Sequence, residues 1–437
     1  MSEDNLPQRR LKVLVVAAAV HPEKGSEPGL GWGWIEALSA YHDLWVITGE
    51  REGNREAIEQ RFQDVQALRQ RLKLYFIPRP DGPYLERLWP PLYYRYYRQW
   101  HQQAFLLGNK LHEEIHFDLA HQLNMTGYRE PGYLWRLTLP FVWGPVGGTA
   151  NVPLRFASIL GVKEFCYHLA KTVINNCQLR YHKRVRAALK RADGFVTSTS
   201  DTRDAFVRVL GKNSVMINDN GPPLNISYND QQRDCLLGRP LRLAWSGVHV
   251  SRKALSIVLK ALAILPKEIA WHLDILGEGQ MTKHWKNLAT KLNIGANCTW
   301  YGWIKKGDAI KTVANADLFL FPSLHESTPA VVFEAMSMGV PVICLDHCGQ
   351  ADVVTQDCGI KIPVTTPNKV IHNFAAAIVQ LIKNPDEIHR LSKVAVRRIE
   401  DFTWDKKAQA MLKVYEEAIA KWEVRQKTRL TEKRLKY

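Results

Sequence analysis

The chain has 437 residues, a 46% apolar share and 14 Trp, too much for one ordinary core and suited to two buried domains. Seven cysteines (Cys166, Cys177, Cys235, Cys298, Cys344, Cys348 and Cys358) without a C-x2-C pair favour free thiols in a reducing compartment over a zinc or disulfide framework. The net charge of +16 calls for an anionic partner, yet zinc-finger spacing, RNP-type aromatics and repeats are all missing, which argues against nucleic acid.

Residues 11–20 (L-K-V-L-V-V-A-A-A-V) form a strongly apolar first strand. A glycine-rich turn follows, H-P-E-K-G-S-E-P-G-L-G-W-G-W, and then a predicted helix from 32 to 41. Further strands are predicted at 44–48, 72–77, 117–121, 139–143, 194–199 and 215–218, with His121 at the C-terminal end of its strand, where open α/β sheets bind ligands. Between 84 and 111, Arg87, Arg95 and Arg98 alternate with Trp89, Tyr93, Tyr94, Tyr96, Tyr97 and Trp100. That mixture suits either a membrane interface or a core-facing aromatic helix with a solvated basic face. Residues 163–191 read as a basic helical stretch, and the polar run 222–240 as a linker.

A second set of strands is predicted at 241–247, 272–276, 298–303, 318–321 and 340–345. Ser251 is placed to cap a helix from about 253, and Thr328 to cap a helix over 330–338, with Pro329 in the first turn and Gly339 ending it. Strand, helix and strand at 318–345 make a βαβ unit whose helix start offers free N–H groups and a positive dipole end. Glu326 in the loop and Glu334 on the helix lie eight positions apart. From 384 the chain is helical, and from Lys421 seven Lys or Arg face two Glu.

The E-x7-E spacing, set between P-S and E-A-M-x-x-G-x-P-V, closely resembles the donor-sugar signature of family-4 retaining glycosyltransferases, the group 1 type of bacterial polysaccharide and lipopolysaccharide assembly. The resemblance implies an α/β GT-B fold, with two Rossmann-like domains facing across a cleft. It divides the chain into an acceptor domain (1–221), a linker (222–240), a nucleotide-sugar domain (241–400), and a last helix with a basic tail (401–437) that crosses back. It implies that Lys253, Ala330 and Val331 face the donor diphosphate, Glu334 the ribose and Glu326 the transferred sugar, with His121 touching that sugar from the first domain. Thr328 and Gly277, in the L-G-E-G turn, flank the donor, and Gly25 and Ser26 allow close backbone approach to it.

Glu27 either serves an acceptor or caps its helix. Relatives carry an arginine where this chain has Val248, so either His249 or Arg252 must supply that charge; they often have glycine in place of Pro329. The resemblance implies transfer with retained anomeric configuration to a glycan or lipid-linked acceptor. No cofactor is implied, and without a D-x-D pair no metal. With no apolar signal core at the N-terminus, a cytoplasmic protein peripheral to an anionic inner leaflet is expected. A phosphorylase or epimerase on the same fold, and a non-catalytic membrane-bound module, are the alternatives.

Overall fold

The computed structural model describes residues 9–50, 53–78, 90–124, 126–223 and 239–434. Arg87, Trp89, Cys235, the side chains of Tyr93 and Tyr94, and most of the expected linker lie outside the described residues. Two parallel sheets organise the chain. The first holds β1 (Lys12–Ala17), β2 (Asp43–Glu50), β3 (Leu72–Pro78), β4 (Leu119–Asn124), β5 (Phe141–Val146), β6 (Gly194–Thr197) and β7 (Val215–Met216), in the order β3-β2-β1-β4-β5-β6-β7. The second holds β8 (Leu241–Ser246), β9 (Trp271–Leu276), β10 (Cys298–Gly302), β11 (Leu318–Phe321), β12 (Val342–Leu345) and β13 (Gly359–Ile362), in the order β10-β9-β8-β11-β12-β13. Most of these strands are apolar runs covered on both faces, as β1 and β11 show, and crossover helices supply the cover. The short β13, with Lys361 at its centre, was not expected.

The helices that bear on the site are numbered in chain order. In the first domain they are α1 (Ser26–Ser39), α2 (Pro90–Ile115), α3 (Val162–Tyr181), α4 (Lys183–Arg191) and α5 (Ser200–Leu210). In the second they are α6 (Leu255–Ala263), α7 (Lys306–Ala314), α8 (Ala330–Ser337) and α9 (Cys348–Val353); α10 (Trp404–Arg434) ends the described chain. Helix α10 packs on the first sheet: Ala408, Met411, Tyr415 and Ala418 share one core cluster with Val13, Val15, Leu119 and Val142.

Several boundaries differ from expectation. Helix α1 begins at Ser26, because its glycines serve packing rather than a turn: a β-carbon on Gly31 would meet Ala19 O at 2.2 Å, and one on Gly33 the Trp404 ring at 2.4 Å. The basic stretch breaks at His182, whose imidazole accepts a bond from Val185 N (3.4 Å) and so starts α4. Ser251 does not cap a helix. It opens a 3-10 turn, Ser251–Lys253, and its hydroxyl donates to Glu164 (3.3 Å); α6 starts only after Ala254, at φ 50°. Pro329, not Thr328, is the N-cap residue of α8.

The described part of the aromatic stretch in α2 faces the core. Tyr97 and Trp100 are buried, Trp100 Nε1 donates to Ile77 O (3.3 Å), and Arg98 pairs with the buried Glu130 (3.4 Å), leaving Arg95 exposed. An interfacial role for these aromatics is therefore ruled out at Tyr97 and Trp100. Among the described residues, no helix is long and apolar enough to cross a membrane.

Candidate active site

A cleft of about 740 Å³ opens between the two domains, with Ser26, Glu27 and Thr126 on one wall and Lys253, Glu326 and Val331 on the other. The segment after strand β11 delivers part of that second wall. Leaving the sheet at Phe321, the chain makes a tight loop through Ser323 and Glu326 before α8 begins. One oxygen of Glu326, Oε1, accepts from Lys253 Nζ (2.7 Å), Arg252 Nη1 (3.0 Å) and Ser323 Oγ (2.6 Å). Burial pushes this carboxyl up, but Lys253 and Arg252 beside it outweigh burial and hold it below the usual glutamate range. The carboxylate is thus ionised and locked between two cations.

The two cations come from the turn after β8. Gly277 abuts that turn: a β-carbon there would meet Gly247 O at 2.2 Å, and its φ of 101° suits glycine alone. Lys253 is nearly buried, with Nζ 5.1 Å from the Phe321 ring centroid. Arg252 also donates to His325 O (2.8 Å). Of His249 and Arg252, only Arg252 lines the cleft. His249 is fully buried among Trp245, Trp285 and Trp300, bonds Thr282 Oγ1 (2.8 Å), and is lowered to about 4 chiefly by burial, so it is neutral. Arg252 is the charged group at the cleft, while Val248 lines it as an exposed apolar residue.

Helix α8 adds its N-terminus. The first amide to find a helical acceptor is that of Val332, at Pro329 O (3.1 Å), so the amides of Ala330 and Val331 precede the helical ladder at the cleft wall. Thr328 lines the same wall, and its carbonyl accepts from Asn220 Nδ2 (3.3 Å). Glu334 sits one turn into α8, its carboxyl raised by burial against the opposing pull of Lys306, whose Nζ lies 3.9 Å away. Lys306 was missed in the sequence. Its signal was the same as that of Lys253: a lysine at the start of a helix, here α7, where the dipole disfavours a cation unless an anion is near.

In the first domain, Ser26 lines the cleft at φ 59°, whereas Gly25 is the extended N-cap of α1, at φ −77°, and is not among the lining residues. Glu27 accepts from Thr126 N (3.0 Å), tying α1 to the loop after β4. His121 does not reach the cleft. It is fully buried, Nε2 donates to Gly144 O (2.7 Å), and Nδ1 is left to accept from Tyr415 Oη (2.7 Å). Burial lowers it to about 4, so it is a neutral strut between β4, β5 and α10, not a contact to the sugar. Outside the cleft, Asp201, His347 and Cys348 bring metal-ligand atoms within 4.8 Å of one another, but Asp201 is already engaged by Cys348 N (3.1 Å) at the start of α9.

Residues 238–398 match the family model "Glycosyl transferases group 1". Those residues, which make up the second domain, belong to that family. The matched segment supplies the wall that holds Glu326, Lys253 and α8. Among curated relatives, the MMP α-(1→4)-mannosyltransferase of Mycolicibacterium hassiacum is 27% identical over 180 residues, 41% of this chain and 43% of that protein. The GDP-mannose-dependent α-(1-6)-phosphatidylinositol dimannoside mannosyltransferase of Mycobacterium tuberculosis is 26% identical over 234 residues, 50% of this chain and 56% of that one. These matches thus span about half of each curated relative. The apo lipopolysaccharide outer core galactosyltransferase WaaB superposes with a TM-score of 0.62 at 15% identity, over 91% of this chain and 98% of its own. The chain has the GT-B fold.

Proposed function

We propose that the protein transfers a sugar from a nucleotide diphosphate sugar to an acceptor hydroxyl, with retention of anomeric configuration and without a catalytic metal. The observation that carries this reading is the convergence of Lys253, Arg252, Glu326 and the α8 N-terminus on one cleft wall. Departure of the nucleotide diphosphate builds negative charge on its terminal phosphate. Lys253, Arg252 and the amides of Ala330 and Val331 are fixed cations and dipoles where that charge would develop, the counter-charge a divalent ion would otherwise supply. Glu326, held rigid by three donors, orients the sugar hydroxyls, and Glu334 accepts from the ribose, with Lys306 steadying it.

The first domain serves the acceptor. Glu27 stands across the cleft, clamped to Thr126 N, and supports positioning of an incoming hydroxyl. The mannosyltransferase and galactosyltransferase relatives, whose names specify a phosphatidylinositol dimannoside and a lipopolysaccharide core, support a lipid-linked acceptor in surface polysaccharide or lipopolysaccharide assembly. The charge of +16 supports work at an anionic inner leaflet. Calorimetry with UDP, GDP and ADP and their sugar conjugates tests the donor reading, comparing the protein with Lys253→Ala. One base should bind and the variant should bind it less. Absence of binding by all three sets would overturn the proposal.

A further inference from the structure

Helix α3 is turned inside out. The stripe it presents to the protein is largely polar: His168 and Asn175 are buried, Glu164 and Lys171 half-buried, and Leu179 is the one fully apolar residue on that line. Those polar groups are used. Glu164 accepts from Ser251, Asn175 Nδ2 donates to Asn151 (3.0 Å), and Arg129 Nε donates to Gln178 (2.7 Å). The stripe it presents to water is apolar. Val162 is 81% exposed, Tyr167 54%, Val173 56%, Ile174 52% and Tyr181 69%, with Leu169 between them. At spacings of four, seven and eight these fall along one side of the helix. Contiguous exposed apolar surface of this kind marks an interaction face rather than ordinary surface scatter.

Charge selects the partner. Residues 151–192 carry nine Lys or Arg against the single acid Glu164, about half of the molecule's net charge in a tenth of its length. Lys163, Arg180, Lys183 and Arg186 are exposed around the apolar stripe. An apolar face bearing tyrosines and rimmed by cations matches acyl chains below and anionic headgroups around. A second copy of this chain would bring the same positive rim against it and be repelled. We propose that α3 lies in the surface of an anionic lipid bilayer and holds the enzyme there.

The location has a consequence that rests on the sugar-transfer reading. Glu164 of α3 touches Ser251, at the start of the turn that carries Arg252 and Lys253, so the docked face adjoins the reacting cleft. A lipid-linked acceptor would then enter from the bilayer without crossing water.

Co-sedimentation of the full chain with phosphatidylglycerol–phosphatidylcholine vesicles, against phosphatidylcholine alone, tests the docking. Binding should require phosphatidylglycerol and weaken with salt. Val173→Glu with Ile174→Glu should reduce it at least roughly tenfold, since two apolar side chains leave the interface and two like-signed charges enter. Arg95→Glu should change it little. As a second reading on the unmutated protein, vesicles should protect the exposed thiols Cys166 and Cys177 on α3 from a maleimide. Equal binding to both vesicle types, full binding by the double variant, or unprotected thiols would overturn the proposal. So would vesicle-independent dimers that the double variant dissolves, or capture of an acidic protein with no lipid binding. Lipid binding is read without donor and nucleotide binding without lipid, so failure of one reading leaves the other standing.

Discussion

Replacing Glu326 by Gln is the sharpest perturbation the cleft allows. The amide keeps the volume and can keep the bond from Ser323, but it removes the charge facing Lys253 at 2.7 Å and Arg252 at 3.0 Å. Breaking a buried ion pair by removing one partner costs about 3–5 kcal/mol, because the other charge stays buried. The lysine is nearly buried and bears most of this; Arg252, with its side chain 35% exposed, is screened by water and adds little. About 3 kcal/mol is the expected loss at pH 7, the low end of that range. For a domain of this size each kcal/mol moves Tm by roughly 2–4 °C, so the second-domain transition should fall by roughly 6–12 °C.

The pH dependence fixes the cause. The folded carboxyl titrates below its unfolded value of 4.5. A group lowered in this way stabilises above the unfolded pKa and loses that contribution as pH falls through the folded pKa. Scanning calorimetry should therefore show wild type and Glu326→Gln far apart at pH 7 and converging in acid below 4.5. A gap under about 1 °C at pH 7, or one unchanged in acid, would refute the argument that the pair's electrostatics hold the site together. Nucleotide diphosphate affinity should survive the substitution while sugar transfer is lost, since the proposed partner of Glu326 is the sugar.

Three further outcomes are expected. Glu334→Ala should weaken binding of both the nucleotide diphosphate and its sugar conjugate by roughly ten- to hundredfold, the worth of charged hydrogen bonds to the ribose; unchanged calorimetric affinity would contradict the assignment. Proton NMR of the fresh product should show the donor's anomeric configuration kept, and an inverted linkage would discard retention and direct attention to Glu27 as a base. His121→Asn should lower stability by about 2–3 kcal/mol through the unmet Tyr415 and Gly144 groups, yet leave turnover per folded molecule intact. Because folded His121 titrates near 4 against 6.5 unfolded, wild type loses stability as pH drops from 6.5 toward 4, and the variant should lose less of it; His42, His249 and His325 keep the rest of that slope.

What the sequence disclosed was whatever depends on near neighbours. The βαβ unit around Glu326 and Glu334 is fixed by a buried strand, a loop and a helix within thirty residues, and the lysine of the β8 turn lines the same cleft. What it hid depends on contacts between distant segments. His121 stands at a strand end like a ligand-binding histidine, and only Tyr415, 294 positions later, shows that its ring is consumed by packing. The glycines of α1 read as a turn because their reason, the Trp404 ring, arrives in the last helix. His249 and Arg252 are equal candidates by spacing, and burial among three tryptophans eliminates the first. Helix α3 read only as basic, since nothing local tells which side of it faces water.

Domain docking and the orientation of Glu326 rest on the same loop. His325 Nε2 bonds Ala150 O (3.0 Å), Ser327 Oγ meets Ser198 Oγ (3.3 Å) and Asp219 (3.3 Å), and Thr328 O accepts from Asn220 (3.3 Å). Every one of these partners belongs to the first domain, and Glu326 lies among their donors. Beside them, two helix N-termini exchange carboxylates: Asp352, on α9, accepts from Ser200 N (2.9 Å) at the start of α5, while Asp201, on α5, accepts from Cys348 N (3.1 Å) at the start of α9. Each negative group neutralises the other domain's positive helix end, which accounts for Asp201 beside His347 and Cys348 without a cation. From behind, α10 grips the crossover: Lys407 Nζ donates to Asn218 O (2.9 Å), and burial lowers it to about 7 against the pull of Asp219. Opening the cleft would break the bonds that hold residues 325–328. The carboxylate itself keeps its donors Lys253, Arg252 and Ser323, all of the second domain, so opening would free its neighbours His325, Ser327 and Thr328 but not its charge pairing.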